Sequence, residues 1–298
     1  MVEVRAQRAS KPALASEQVG QVFVEGRRGR DRLEFTEYGA GDAWVVLVPP
    51  LLVPRRVHDR SARMLASSGL HVLVLDPLGH GRSDKPADPL SYSVSAFADQ
   101  VVALLDHVGA ARAVVGGSSI GADVALEVAV RAPERVTGLL LDGPVLENAL
   151  GAQLSVLTPV LATARFAPFA LTALRLVTRP LPRRLAPEWV RLALETLDAR
   201  PGPVAAVVRG VLFGRIAPSS DERAALTVPT LVLARTADPF HPVGDAETLV
   251  GEIAGAVLER AETPFEWRRR PERLDLVVTR FVLECARPTR RGRRTRSS

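Results

Sequence analysis

The 298-residue chain has one cysteine, Cys285, and five histidines, of which His241 is the last. A lone cysteine excludes an intramolecular disulfide and a cysteine-built metal centre, and is consistent with a reducing compartment. The first eighteen residues, MVEVRAQRASKPALASEQ, lack the apolar core of a secretory signal. No apolar run reaches the roughly 20 uninterrupted residues that a membrane span needs. The nearest, residues 146–177, is broken by Pro159, Arg165 and Pro168. No internal repeat is visible. These absences together lead to the expectation of a cytoplasmic protein with no transmembrane segment.

What is present is ordinary for a globular protein: 47% hydrophobic and 24% charged residues, enough to bury a sizeable core. The length suits one large domain, or one carrying a smaller insertion. The net charge of +6 looks like a nucleic-acid signature until it is located. Six arginines (287, 290, 291, 293, 294 and 296) and no acid lie in the last twelve residues, so without them the charge is 6 − 6 = 0. A nearly neutral body with a self-repelling basic tail over 287–298 gives no reason to expect nucleic acid as partner.

Residues 1–20 read as a loose arm. Short strand-like runs follow at 21–25, 32–38 and 44–48. The last, WVVLV, has no polar alternation, as in a strand buried on both faces of a parallel sheet. Strand and helix then alternate: strands at 71–76, 113–117 and 136–142, helices near 94–108 and 121–132. Such alternation implies βαβ crossovers and an α/β fold. Residues 147–225 lose the strand signal and read as proline-punctuated helices, a helical cap inserted into a core of 21–146 and 226–286. Poor in charge and rich in Leu, Ala, Val and Phe over 146–177, the cap is expected to roof an apolar pocket and a small apolar ligand. Strand, helix, strand and helix resume near 230–234, 245–252, 256–260 and 271–285.

The informative segment is AVVGGSSIGADVALEVAVRAPERV (113–136), in which a strand passes through Gly-x-Ser-x-Gly into a helix. A nucleophile held in such a turn needs small residues two before and two after it. Ser119 has Gly117 and Gly121 there, whereas Ser118 would have Gly116 and Ile120, and Ile120 would clash. With DPLGHGRSDKP (76–86) and VPTLVLARTADPFHP (228–242), this turn resembles the α/β-hydrolase superfamily, in its capped branch of esterases, haloperoxidase-like and C–C bond hydrolases. The resemblance covers roughly residues 30–285. It implies a mostly parallel eight-stranded sheet flanked by helices, Ser119 as nucleophile, Asp238 as acid, and the backbone N–H groups of Ile120 and Leu51 as oxyanion donors. No cofactor and no metal are implied. Pro49-Pro50 stands where relatives have His-Gly, which alters the loop that carries Leu51. Asp76, His80 and Asp84 read as structural parts of their turn, His58 as packing and Asp142 as a reserve acid; His71 and His107 have no motif context.

Relatives take the catalytic base, a histidine, from the loop after the eighth strand. That loop reads AVLERAETPFEWRRRPERL (256–274), and no histidine follows His241. Counting from the strand, Glu266 falls at the position; counting back from Pro271, Pro264 does. Three alternatives follow. In a serine hydrolase with an atypical triad the base is displaced, most simply to His241. In a lyase, isomerase or cyclase, Glu266 and Asp238 move protons, and one of these facing carboxyls would titrate above its ordinary range. In a silent binding protein, Glu266 is a surface carboxylate paired with the arginines at 268–270.

Overall fold

The computed structural model describes residues 16–178, 188–198, 200–263 and 266–287. The arm before residue 16, the tail from 288 and Pro264 lie outside the described residues. In chain order the elements begin with strands β1 (Glu17–Gly26), β2 (Gly29–Tyr38) and β3 (Trp44–Val48), helix α1 (Asp59–Ser67) and strand β4 (His71–Asp76). Next come α2 (Val94–His107), β5 (Ala113–Ser118), α3 (Ile120–Arg131) and β6 (Val136–Asp142). Five helices follow among the described residues: α4 (Leu150–Phe166), α5 (Pro168–Thr178), α6 (Glu188–Leu197), α7 (Pro201–Leu212) and α8 (Ser220–Ala224). The chain then forms β7 (Thr230–Arg235), α9 (Val243–Glu252), β8 (Val257–Ala261), α10 (Glu266–Arg269) and α11 (Glu272–Ala286).

The strands form one eight-stranded sheet in the order β1-β2-β4-β3-β5-β6-β7-β8. β1 pairs antiparallel with β2 and β2 with β4, and every other pair is parallel. β1 corrects one expectation: it begins at Glu17, inside the stretch read as a loose arm. The polar residues of VGQ do not break it, because the hairpin register continues to the pair Glu17↔Tyr38.

Alternate residues of the central strands serve opposite faces. Val46, Val48, Leu73, Val115 and Leu139 pack with α2, α3 and α9, while Val45, Leu47, Val72, Val114 and Leu140 pack with α1 and α11. This double burial is why these segments are continuous apolar runs. β3 lies between β4 and β5, so the chain leaves it toward opposite sides of the sheet. The resulting crevice at the carboxyl ends of β3 and β5 is where open α/β sheets place their ligands.

Two glycines let β5 and α3 close on that crevice. A Cβ built on Gly121 would lie 2.2 Å from the Val48 carbonyl oxygen, and one on Gly117 would lie 2.4 Å from the Gly121 oxygen. The chain then leaves β6 under firm control. The buried Asp245 carboxylate accepts the N–H groups of Leu146 (2.8 Å), Asn148 (2.9 Å) and Ala149 (3.0 Å). Asp123 accepts that of Val145 at 3.1 Å. Burial, with the nearby charge of Asp245, pushes the Asp123 carboxyl well above its ordinary range.

Of the five intervening helices, α7 is the one seated on the core. Gly210 fits against the Pro89 carbonyl and Tyr92, where a Cβ would come within 2.4 Å of the carbonyl oxygen. Ala164 of α4 with Val204 and Val208 of α7 forms a small cluster that reaches Leu52 in the loop after β3. Among the described residues no single helix is long and apolar enough to cross a membrane.

Gly121→Ala is expected to destabilise the protein by about 1–3 kcal/mol, the usual cost of overpacking. Urea denaturation checks this, since backbone rather than a flexible side chain blocks the added methyl group.

Candidate active site

Ser119 occupies the turn between β5 and α3 at φ 56°, ψ −130°. Its N–H donates to the Asp142 carbonyl at 2.9 Å, fixing the turn to the end of β6. The two serines have different fates. The Ser118 hydroxyl donates to Asp142 Oδ2 at 2.8 Å. The Ser119 hydroxyl, on a residue only 9% exposed, makes no hydrogen bond among the described residues. Ile120 opens α3, and the first amides of a helix have no intrahelical acceptor, so its N–H is suited to a negative charge beside Ser119.

The other wall is the loop after β3. Pro49 and Pro50 bring no N–H of their own. Leu51 and Leu52 make a tight turn closed by the Val53 N–H on the Pro50 carbonyl (3.1 Å), with Leu52 at φ 64°. A buried ionic cluster anchors this loop. Asp76 accepts the Arg55 N–H at 2.6 Å and bonds the Arg55 guanidinium, which also donates to Thr36 and Glu34, both at 2.7 Å. The structural readings of the neighbouring turn agree with this packing. His80 is buried with Nδ1 on the Leu78 carbonyl (3.0 Å), and burial pushes its pKa down. Asp84 accepts the Arg32 N–H at 2.9 Å, and His58 Nε2 meets the Val48 carbonyl at 3.1 Å.

The third wall follows β7. Ala237, at φ 58°, turns Asp238 back toward its own loop, where Oδ1 accepts the N–H groups of Phe240 (2.9 Å) and His241 (3.2 Å). Oδ2 faces His241 Nδ1 at 3.0 Å and Arg235 at 3.6 Å. Burial alone would raise the Asp238 pKa, but the His241 hydrogen bond, the Phe240 N–H and the charges beside it bring it down to about 2. With Nδ1 donating to the carboxylate, a neutral His241 ring has Nε2 as its acceptor nitrogen. Nε2 is buried and has no hydrogen-bond partner. The ring lies over Gly143, where a Cβ would sit 3.2 Å from its Cγ. Gly143 directly follows Asp142, whose carbonyl holds the Ser119 N–H.

Among the described residues the non-glycine positive φ angles belong to Leu52, Ser119 and Ala237. All three stand just past the carboxyl ends of the parallel strands β3, β5 and β7, at the same end of the sheet. Strained backbone of this kind concentrates at functional sites, at roughly 1–3 kcal/mol per residue.

A sequence profile described as the alpha/beta hydrolase fold matches residues 39–264. The chain belongs to the α/β-hydrolase family. It is 38% identical over 80 residues to 2-hydroxymuconate semialdehyde hydrolase of Pseudomonas putida, covering 27% of this chain and 28% of that enzyme. The chain thus spans under a third of the length of that curated relative. It is 24% identical over 192 residues to 3-oxoadipate enol-lactonase 2 of Acinetobacter baylyi, covering 64% of this chain and 70% of the lactonase. In structure it is similar to the enol-lactonase of Burkholderia xenovorans, with a TM-score of 0.69 at 22% identity, covering 88% of this chain and 99% of the other.

Glu266 opens α10, in the segment after β8. Glu266 is not brought to Asp238 by any hydrogen bond or ion pair among the described residues. Its carboxylate accepts from Arg273 Nε at 2.8 Å and Nη2 at 3.1 Å. The Arg273 hydrogen bonds outweigh burial and hold the Glu266 pKa below its usual range. The expectation that Asp238 or Glu266 would titrate high is therefore corrected, since each has cationic or N–H donors in place of a facing carboxylate. The arginine that pairs Glu266 is Arg273 on the next helix. Asp142, the reserve acid, is bonded to Ser118 and, with Asp238, flanks Arg235. Sequence reading missed Arg235; the signal was an arginine ending a strand between two strand-end aspartates.

The expected apolar roof is not matched by the cavity that opens beside the β3 loop. This space of about 380 Å³ is lined by Leu52 and Pro54 but also by Lys85, Arg175, Glu195 and Arg200, and Ser119 is not among its lining residues. Among the described residues no cluster of three or more potential metal ligands forms.

Two outcomes follow. Asp238 stabilises the fold fully above its unfolded pKa of about 3.9, and that stability disappears as pH falls through about 2. His241→Ala is expected to raise the Asp238 pKa, so that acid unfolding starts at higher pH; carboxyl-carbon NMR titration measures the shift. Glu266→Gln is expected to cost about 1–3 kcal/mol of stability, the scale of a buried hydrogen bond to a charged group, and to leave reactivity at Ser119 unchanged. Thermal melting and active-site labelling read the two effects separately.

Proposed function

We propose that this chain is a serine hydrolase of the ester or C–C bond type. Ser119 is the nucleophile, His241 its base, Asp238 the orienting acid, and the N–H groups of Ile120 and Leu51 the oxyanion donors. The helices over 147–225 act as the cap. One observation carries the reading: Asp238 holds His241 through Nδ1 at 3.0 Å while Nε2, buried and unpartnered, remains the acceptor nitrogen. That is the tautomer a serine triad requires. The relatives, a semialdehyde hydrolase and enol-lactonases, support carbonyl-centred hydrolysis.

In this mechanism His241 Nε2 takes the Ser119 proton as Oγ attacks the substrate carbonyl. The oxyanion is held by N–H donors fixed before the reaction begins, so their alignment costs nothing at the transition state. The imidazolium, stabilised by Asp238, returns the proton to the leaving group, and water then releases the acyl group by the same steps. The structure has no bond between Ser119 and His241; such bonds are commonly long in substrate-free sites and tighten with substrate in place. Nothing in the site favours proton transfer by paired carboxyls, because Glu266 is engaged by Arg273.

The test is labelling by a fluorophosphonate probe together with turnover of short-chain p-nitrophenyl esters. Wild type is expected to label at Ser119 and Ser119→Ala not at all. His241→Gln is expected to lower kcat by about 10²–10⁴, the contribution of a positioned base. A folded wild-type protein that neither labels nor turns over would refute the hydrolase and leave a non-hydrolytic enzyme or a binding protein.

A further inference from the structure

Helices α4 and α5 are apolar yet poorly covered. Along α4 only Ala164 is buried, and along α5 no residue is. They meet at a 97° bend, and the corner carries the two aromatics Phe166 and Phe169, 81% and 73% exposed. Leu176 and Val177, 61% and 71% exposed, extend the patch along α5. Isolated apolar residues on a surface need no explanation, but a contiguous group rimmed by polar residues marks an interaction site.

The charge around the patch selects its occupant. Residues 148–178 contain no Asp or Glu, and of their two arginines Arg175 lines the cavity with Glu195 while Arg165 stands at the corner. The Arg165 guanidinium lies over the Phe166 ring, 5.9 Å from its centroid, so cation and aromatic share the corner. A second copy seated here by a two-fold axis would set this acid-free patch against itself, with no carboxylate from the patch for Arg165. An anionic lipid surface satisfies both features, since apolar side chains enter the acyl boundary while arginines stay at the headgroups. A further basic block, the six arginines of residues 287–296, adds attraction of the same sign.

We propose that the α4–α5 corner docks this protein peripherally on anionic membranes, with Phe166 and Phe169 as the inserted wedge. The inference is independent of whether Ser119 is catalytic. The experiment uses the full chain and vesicles, either of pure phosphatidylcholine or of equal parts phosphatidylcholine and phosphatidylglycerol. The chain is expected to cosediment with the mixed vesicles, and binding to pure phosphatidylcholine to be at least roughly tenfold weaker. Phe166→Ser/Phe169→Ser is expected to weaken binding to the mixed vesicles roughly tenfold or more, as loss of two buried rings requires. Its melting temperature should be unchanged, because both rings are exposed. Deleting residues 287–298 should weaken binding while the remainder still depends on the two phenylalanines. Three results would each overturn the proposal: no binding to mixed vesicles, binding indifferent to the double substitution, or a concentration-dependent dimer that the substitution dissolves in a chain that ignores vesicles.

Discussion

The approach of Gly121 to the Val48 carbonyl sets the geometry of everything around Ser119. With no Cβ at Gly121 or Gly117, the first turn of α3 lies directly against the ends of β3 and β5. Only then can one residue, Ser119, reverse the chain, and it does so at a positive φ. The same closeness brings the first amide of α3 and the turn at Leu51 to one crevice. The Asp142 carbonyl, by accepting the Ser119 N–H, ties this unit to β6 and through Gly143 to the ring of His241. The cost of the strained turn is met by the packing of the sheet beneath it.

Burial raises the carboxyls of this fold, and the donors around each decide how much of that is offset. Asp238 has two backbone N–H groups, an imidazole and a guanidinium around it, and is held near 2 against the pull of burial. Asp123 has one N–H, one oxygen without a partner and an acidic neighbour, and is pushed well above its ordinary range. Glu266 falls on the side of Asp238 because Arg273 grips both of its oxygens. Counting carboxylates in a sequence is thus no guide to which will hold a proton, because the deciding donors come from elsewhere in the chain.

The contrast explains how much was legible beforehand. The central strands were readable because both faces are buried, which leaves a continuous apolar run with little ambiguity. Ser119 was separable from Ser118 because the demand for small flanking residues is local. β1 was truncated in the reading because its first residues are held by a register with β2, a non-local cause that polar side chains conceal. Glu266 was set at the place of a histidine by counting along a loop, and counting does not register Arg273 beyond the break at Pro271. Arg235 escaped notice because its two aspartates are far apart in sequence and meet only when β6 and β7 lie side by side. The charge-poor insertion suggested an apolar roof, yet the cavity it shares with the β3 loop is lined by side chains of both signs.

Asp238 and His241 stand three residues apart in a single turn. β8, by contrast, is the edge strand of this sheet. The alignment of acid and imidazole is short-range, set by backbone angles and by N–H donors within the turn itself. The turn is also pinned to the end of β8, where the Thr236 hydroxyl donates to the Ala261 carbonyl at 2.9 Å. After β8 the chain forms an ionic clasp, with Arg273 gripping Glu259 and Glu266.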